Sequence, residues 1–340
     1  MILRRRLVTP ALAVLAAAAV AACGSASAAP APRHNSPPGG GHRASATSTS
    51  DSVARGASRT GKRAAPVRVS KPAAPVHVSL PVDRYPAALT ARWQRITTIG
   101  GRPAMWIAVR QGVTVVRMNQ RVVHLALHAG SVDPGGTGWH YGDAVAGREI
   151  HHLILGFNGG FKFSTGSGGF VSFGRVGSPL SVGYGSIVTY KNGETQIGAW
   201  EAGVPARGVA IASVRQNLHL LIDHGVPDSS VAGCGAACWG STIGNQAAVA
   251  RSALGIRADG QLVWAAGESL TVGQLADGMI AAGVQRAVQL DINPDWVAGY
   301  VYVHHPTAPL TPVPVVPGQY GIYGHLLVPY TRDFFTILSN

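Results

Sequence analysis

Short apolar runs of four to seven residues recur through the middle of this chain: MWIAV (105–109), VTVVRM (113–118), VVHLAL (122–127), LILGF (153–157), SIVTY (186–190) and LHLLID (218–223). Each stops short of the roughly ten residues a helix needs. They are rich in β-branched and aromatic side chains and bounded by Gly, Pro, Asn or Asp, which selects strands. Asn192-Gly193 and Asp259-Gly260 supply residues that tolerate the left-handed backbone of a tight hairpin, so each predicts a strand pair joined there.

One segment has the other period. In TVGQLADGMIAAGV (271–284), Val272, Leu275, Met279 and Ile280 recur at helical spacing, Thr271 or Ser269 is placed to cap the start, and Gly283 to end it. LVWAA (262–266) precedes it and AVQLD (287–291) follows, giving a strand–helix–strand unit over 262–291. The expected class is α/β, more narrowly α+β: a mixed, strand-rich sheet with few helices. A crossover of this kind makes parallel, buried strands, and Asp291 then stands at the carboxyl rim where ligands gather.

The amino terminus reads differently. Arg4, Arg5 and Arg6 precede an apolar stretch ending in Ala21-Ala22-Cys23, the layout of a secretory signal whose cysteine resembles a lipoprotein cleavage box. Residues 1–22 are thus expected to be a lipoprotein-type signal, with Cys23 the lipidated first residue; cleavage at the later Ala-Ser-Ala-Ala is the alternative, and either exports the chain. Residues 23–82 lack apolar periodicity and are expected to be a disordered tether. From 24 to 82 eight basic residues against one acidic give +7, whereas 83–340 holds 17 basic and 14 acidic residues, or +3. A basic tether suits anionic lipid or wall polymer, and nucleic acid is not expected as a partner. In an exported chain Cys234 and Cys238 are expected to form a disulfide, since a lone C-x3-C lacks the second ligand pair of a strong zinc motif.

Four stretches of the remaining domain, 83–340, stand together: GFNGGFKF (156–163), ARSALGIRADG (250–260), AAGESLTVGQLADGM (265–279) and VQLDINPDW (288–296). Their order and spacing resemble the phosphodiester glycosidase family, over roughly residues 150–300. The family's segments are Asn-Gly-Gly-Phe-Phe, Arg-Thr-Ala-Ile-Gly, Asp-Gly-Arg and Leu-Asp-Gly-Gly-Gly-Ser. Asn158, Gly159 and Gly160 stand at its Asn-Gly-Gly, with Lys162 replacing the second Phe. Arg251 and Ser252 stand at its Arg-Thr, and Glu268 falls at the Arg of its Asp-Gly-Arg, whose Asp is here Ala266. Asp291 matches the Asp of the last motif, but Ile292-Asn293-Pro294-Asp295 replaces the glycines and serine.

The replacement changes the chemistry. A Gly-Gly-Gly-Ser loop can turn several N–H groups to an anion, whereas Pro294 has none to offer. What the resemblance implies is hydrolysis of a sugar-1-phosphodiester or related glycosidic bond in the cell envelope. That reaction needs a carboxylate near the anomeric carbon, a cation for the phosphate and amides for sugar hydroxyls. Asp291, Arg251 and Asn158 supply those types as catalytic candidates. Gly159, Gly160, Lys162, Ser252, Glu268, Asn293, Asp295 and Trp296 are candidate substrate contacts, and Asp295 or Glu268 could serve as a second carboxylate.

Structural readings stand beside these. Asp291 can cap a turn, Arg251 can be a buried ion-pair partner of Asp277 or Asp291, and Gly159-Gly160 can be a plain turn. Trp239, Trp139 and His140 fit either sugar stacking or core. Adjacent histidines at 151–152 and 304–305 point to opposite strand faces, so neither pair chelates as a unit. No motif calls for a cofactor; a divalent cation would find Asp291 and Asp295 as nearest acids, without ligand spacing to support it. The competing function is a catalytically silent glycan-binding or structural lipoprotein of the same fold.

Overall fold

A computed structural model describes residues 76–78, 89–320 and 322–340. The signal, Cys23 and nearly all of the tether lie outside the described residues. Val76–Val78, read from sequence as tether, instead forms a short strand against Gln94–Ile99.

Three sheets, antiparallel throughout, make the architecture. The nine-stranded sheet runs Val76–Val78, Gln94–Ile99, Arg102–Arg110, Val113–Met118, Leu262–Leu270, Val249–Arg257, Val284–Gln289, Leu220–Asp223, Val226–Pro227. The second, of five, runs Thr195–Ala199, Gly185–Tyr190, Ile211–Gln216, Phe170–Ser172, Arg175–Ser178. The third, also of five, runs Thr311–Pro314, Gly299–Val303, Leu153–Asn158, Phe334–Ser339, Val123–His128. The six apolar runs fall on these strands apart from Val122, Leu218 and His219, which lie just before them, and both predicted hairpins form, with Gly193 at φ 89° and Gly260 at φ 78°.

The helix spans Val272–Ala281, and Thr271 and Gln274 make a reciprocal capping box that satisfies the first free N–H groups. The strands on either side, Leu262–Leu270 and Val284–Gln289, do run parallel. They are not neighbours, however: Val249–Arg257 lies between them, antiparallel to both. The hairpin at Asp259-Gly260 places that strand in the gap, so the expected parallel, mixed pairing gives way to an antiparallel ladder.

The two faces of the large sheet hold separate cores. On one, Met105, Ile107, Leu254 and Trp264 pack against Phe157, Val301 and Phe335 of the third sheet, with the Trp264 and Phe157 rings 5.4 Å apart. On the other, Leu275 and Met279 of the helix cover Val113, Val115, Val263 and Ala265. Each such fully buried side chain contributes about 1.5–3 kcal/mol. The sandwich leaves strand ends of the first and third sheets side by side. Asn158 and Asp291 emerge there.

Candidate functional site

Asn158 is the last residue of its strand, Ser252 lies inside the strand Val249–Arg257, and Asp291 is two residues beyond the strand Val284–Gln289. Asn158 Nδ2 donates to Ser252 Oγ (2.9 Å), and the Ser252 N–H reaches the Asp291 carbonyl (3.3 Å). Both polar side chains are buried, at 2% and 0% exposure. They therefore act as a latch beneath the Asp291 backbone and do not themselves line the adjoining cavity.

Gly159-Gly160 is no open anion nest. A Cβ on Gly159 would fall 2.2 Å from Asp333 Oδ2, and one on Gly160 2.8 Å from the Arg215 guanidinium carbon. The glycines make room for a fully buried pair, Arg215 Nε to Asp333 Oδ2 at 2.7 Å and Arg215 Nη2 to Asp333 Oδ1 at 3.1 Å. Arg215 also donates to the Phe161 carbonyl (2.6 Å), which fixes the turn leading to Lys162.

The cavity beyond this latch holds ≈ 470 Å³, within the range of small-ligand sites. Asp291, Asn293, Trp296, Arg332 and Lys162 line it, and Asp291 is the one carboxylate among the lining residues. Asp291 Oδ1 accepts from the N–H groups of Ile292 (2.7 Å) and Asn293 (3.0 Å), while Oδ2 accepts from Arg332 Nη2 (3.0 Å). The turn-capping role and the cavity-lining role coexist in one side chain. Burial pushes the Asp291 carboxyl above the ordinary aspartate range; Arg332 and the two N–H groups oppose that, and nearby Asp333 adds to it.

Arg332 is the residue that sequence reading missed. Its Nη2 also donates to the Gly160 carbonyl (2.8 Å), its Nε lies 3.2 Å from Asp133 Oδ2, and its guanidinium carbon sits 5.4 Å from the Trp296 ring centroid. Nothing local marks it except Arg332-Asp333 just before the strand Phe334–Ser339.

Arg251, read as the substrate cation, is elsewhere. It neighbours Ser252 on one strand and so points to the opposite face. There it donates to the Leu270 carbonyl (2.9 Å) and to Gln289 Oε1 (3.2 Å), and Trp239's carbonyl lies 3.5 Å away. No carboxylate pairs with it among the described residues, and burial pushes its guanidinium below the ordinary value. Gln289 Nε2 donates to the same Trp239 carbonyl (3.0 Å), so Arg251 supports the loop that carries the cavity rim.

The other candidates divide. Asn293 accepts the Asp295 N–H (2.9 Å) and shapes the turn after Pro294, while Asp295 is exposed and outside the lining. Lys162 is exposed on the cavity wall. Glu268 does not line the cavity; burial raises its carboxyl to about 7, and its Oε1 has no hydrogen-bond partner among the described residues. Cys234 and Cys238 form the expected disulfide, and Cys238, Gly240 and Ser241 complete the rim. Trp239 is fully buried with Nε1 on Ser230 Oγ (3.1 Å), and Trp139 is stacked beneath Arg175 at 3.9 Å, so neither lines the cavity. His152 Nδ1 binds Ser339 Oγ (2.9 Å), while His304 Nε2 and His305 Nε2 go separately to the Leu153 carbonyl (2.6 Å) and Thr311 Oγ1 (2.9 Å).

No family model matches the chain, and no curated protein matches it. Among solved structures it is similar to the catalytic domain of zebrafish N-acetylglucosamine-1-phosphodiester alpha-N-acetylglucosaminidase, auto-inhibited by its pro-peptide. That likeness has 16% identity and a TM-score of 0.43, and covers 80% of this chain and 96% of that one. It is also similar to a hypothetical protein from Synechocystis, with 13% identity and a TM-score of 0.42, over 69% of this chain and 62% of that one. No helix among the described residues is long and apolar enough to cross a membrane.

Proposed function

We propose that the protein is an exported hydrolase of the cell envelope that cleaves a sugar-1-phosphodiester or a related glycosidic bond in the Asp291 cavity. The observation that carries this reading is the 3.0 Å pairing of the Asp291 carboxylate with the Arg332 guanidinium on the wall of a cavity that also presents Trp296 and Lys162. A buried carboxylate stabilises or traps positive charge growing at an anomeric carbon. Arg332 and Lys162 suit the phosphate oxygens, and the Trp296 ring suits a sugar face.

A phosphate leaves with little acid assistance, so one carboxylate is enough in principle where an ordinary glycoside needs two. This is why a phosphodiester fits a cavity with a single lining acid better than a simple glycoside does. Asp291 is the carboxylate at the reacting carbon and Arg332 the phosphate contact, while Asn158, Ser252 and Arg251 hold the loops in place. In the same proposal the chain reaches the outside of the membrane on its signal and is anchored there through a lipid on Cys23.

A second reading has its own observation. Every Asp291 oxygen is already engaged by Arg332 or a backbone N–H, as in a settled structural turn, which favours a silent glycan binder. One experiment separates the two: hydrolysis of a panel of sugar-1-phosphodiesters, with Asp291→Asn beside the parent. The hydrolase reading expects turnover that falls at least about hundredfold in the variant. Glycan binding by a folded protein with no turnover on any member of the panel would overturn it in favour of the binder.

A further inference from the structure

Between Asp83 and Asp133 the sequence has no acidic residue. Residues 89–132 carry six arginines, whereas 133–340 carry ten basic and thirteen acidic residues. The small net charge of the folded part thus hides a strong asymmetry. The six arginines fall on or beside the strands Gln94–Ile99, Arg102–Arg110, Val113–Met118 and Val123–His128.

Register sorts them further. Arg95 pairs with Trp106, and Trp106 with Arg117, so the three stand in one cross-strand row. The row lies on the sheet face that the helix covers farther along, at Val113, Val115 and Val263. Beyond the helix, Trp93, Trp106, Arg110 and Arg117 stay only half-buried and Arg95 is exposed. Arg117 is stacked between two rings, 4.8 Å from the centroid of Trp93 and 4.3 Å from that of Trp106, and Arg110 lies 5.0 Å from Trp93. Stacking holds these guanidiniums in place at little further entropic cost; Arg110 Nη1 donates to the Val109 carbonyl (3.4 Å), and the buried Arg117 Nε has no hydrogen-bond partner among the described residues. Asp259 is the acid whose charge acts on Arg117, and it is itself paired with Arg257 at 3.2 Å.

We propose that this arginine–tryptophan face docks the folded domain onto an anionic phospholipid bilayer. Two strand spacings put Arg95 and Arg117 about 10 Å apart. One phosphate cannot serve both, but a planar array of headgroups can. Half-buried tryptophans beside arginines are the residue types that settle at a bilayer interface. The sequence argues for the same partner: the basic segment of residues 24–82, read as following a lipid-modified Cys23, precedes the strand Gln94–Ile99 of this face. The inference is independent of the hydrolase reading.

The test uses residues 68–340, which include every described core cluster. It is mixed with vesicles of phosphatidylcholine alone or with about one-third phosphatidylglycerol. Binding is expected only to the anionic vesicles and should collapse near 1 M salt, where screening shortens to about 3 Å. Arg95→Gln/Arg110→Gln/Arg117→Gln should weaken it roughly hundredfold, about fivefold per arginine. Arg148→Gln/Lys191→Gln/Arg207→Gln removes equal charge from exposed positions off the face and should change it little. If the first variant misfolds, Arg92→Gln/Arg95→Gln/Arg102→Gln, all at exposed positions, takes its place. Equal loss in the off-face control, equal binding to neutral vesicles, or full displacement by inorganic phosphate or a soluble phosphate polymer at matched phosphate would each overturn the proposal. The last result would mark a free-anion or polymer site.

Discussion

Arg332 Nη2 lies 3.0 Å from Asp291 Oδ2, joining a loop beyond one sheet to the segment that opens the last strand of another. Both side chains are 7% exposed, so the pair is an ion bridge largely out of water. It is not symmetric. Arg332 has a second acid, Asp133, with Oδ2 3.2 Å from its Nε, whereas among the described residues Arg332 is the one cation paired with Asp291.

That asymmetry sets the first prediction. Arg332→Met strands buried negative charge and should cost about 3–5 kcal/mol, while Asp291→Asn leaves Arg332 with Asp133 and should cost about 1–2 kcal/mol. The double variant should cost less than the sum, because the coupling is counted twice in the singles. Urea unfolding of the four proteins measures this; strict additivity would show that the two side chains do not interact.

The glycine turn gives a contrast within one protein. Gly159→Ala drives a Cβ into Asp333 Oδ2 and the buried Arg215–Asp333 pair, and should cost about 3–5 kcal/mol or prevent folding. Gly142→Ala meets nothing within 4 Å and should be near neutral. Thermal midpoints of the two variants decide it, and similar midpoints would remove the packing explanation for Gly159.

Glu268 sets a pH dependence. Burial raises its folded carboxyl from 4.5 to about 7, so the folded state holds the proton more tightly than the unfolded state does. Its favourable contribution is therefore full below about pH 4.5 and is lost as pH rises to about 7. Glu268→Gln removes that loss. Because the residue is half-buried, a screened gain of about 1–2 kcal/mol is expected at pH 8 and almost none at pH 4. A stability difference that stays flat across this range would refute the assignment.

The Cys234–Cys238 bridge closes a very short loop. Chain entropy credits such a bridge with no more than about 2 kcal/mol. Cys234→Ser/Cys238→Ser should lower the thermal midpoint by only a few degrees while weakening ligand binding at the rim that Cys238 helps to form. Global unfolding on reduction would mean that the bridge supports far more than the rim.

The local elements were legible in the sequence. Apolar runs with turn residues between them gave the strands, Asn192-Gly193 and Asp259-Gly260 gave hairpins, and the Thr271 cap with Leu275 and Met279 gave the helix, because each depends on residues a few positions apart. Asn158, Ser252 and Asp291 were each marked by their motifs, but the catalytic set expected from them was Asn158, Arg251 and Asp291, and the buried Asn158–Ser252 latch beneath Asp291 was not legible. Tertiary structure alone decided which arginine faces the cavity. Arg251 and Ser252 are neighbours, but alternation along a strand sends one to the latch and the other to the opposite face. Arg332 carries no local signal and is brought to Asp291 only by sheet order and by the packing of the third sheet on the first. The charge asymmetry was likewise present in the composition of residues 89–132, but cross-strand register was needed to put Arg95, Trp106 and Arg117 in one row. Period and turn chemistry act over a few residues; strand order and side-chain parity act across the whole fold, and the site depends on the latter.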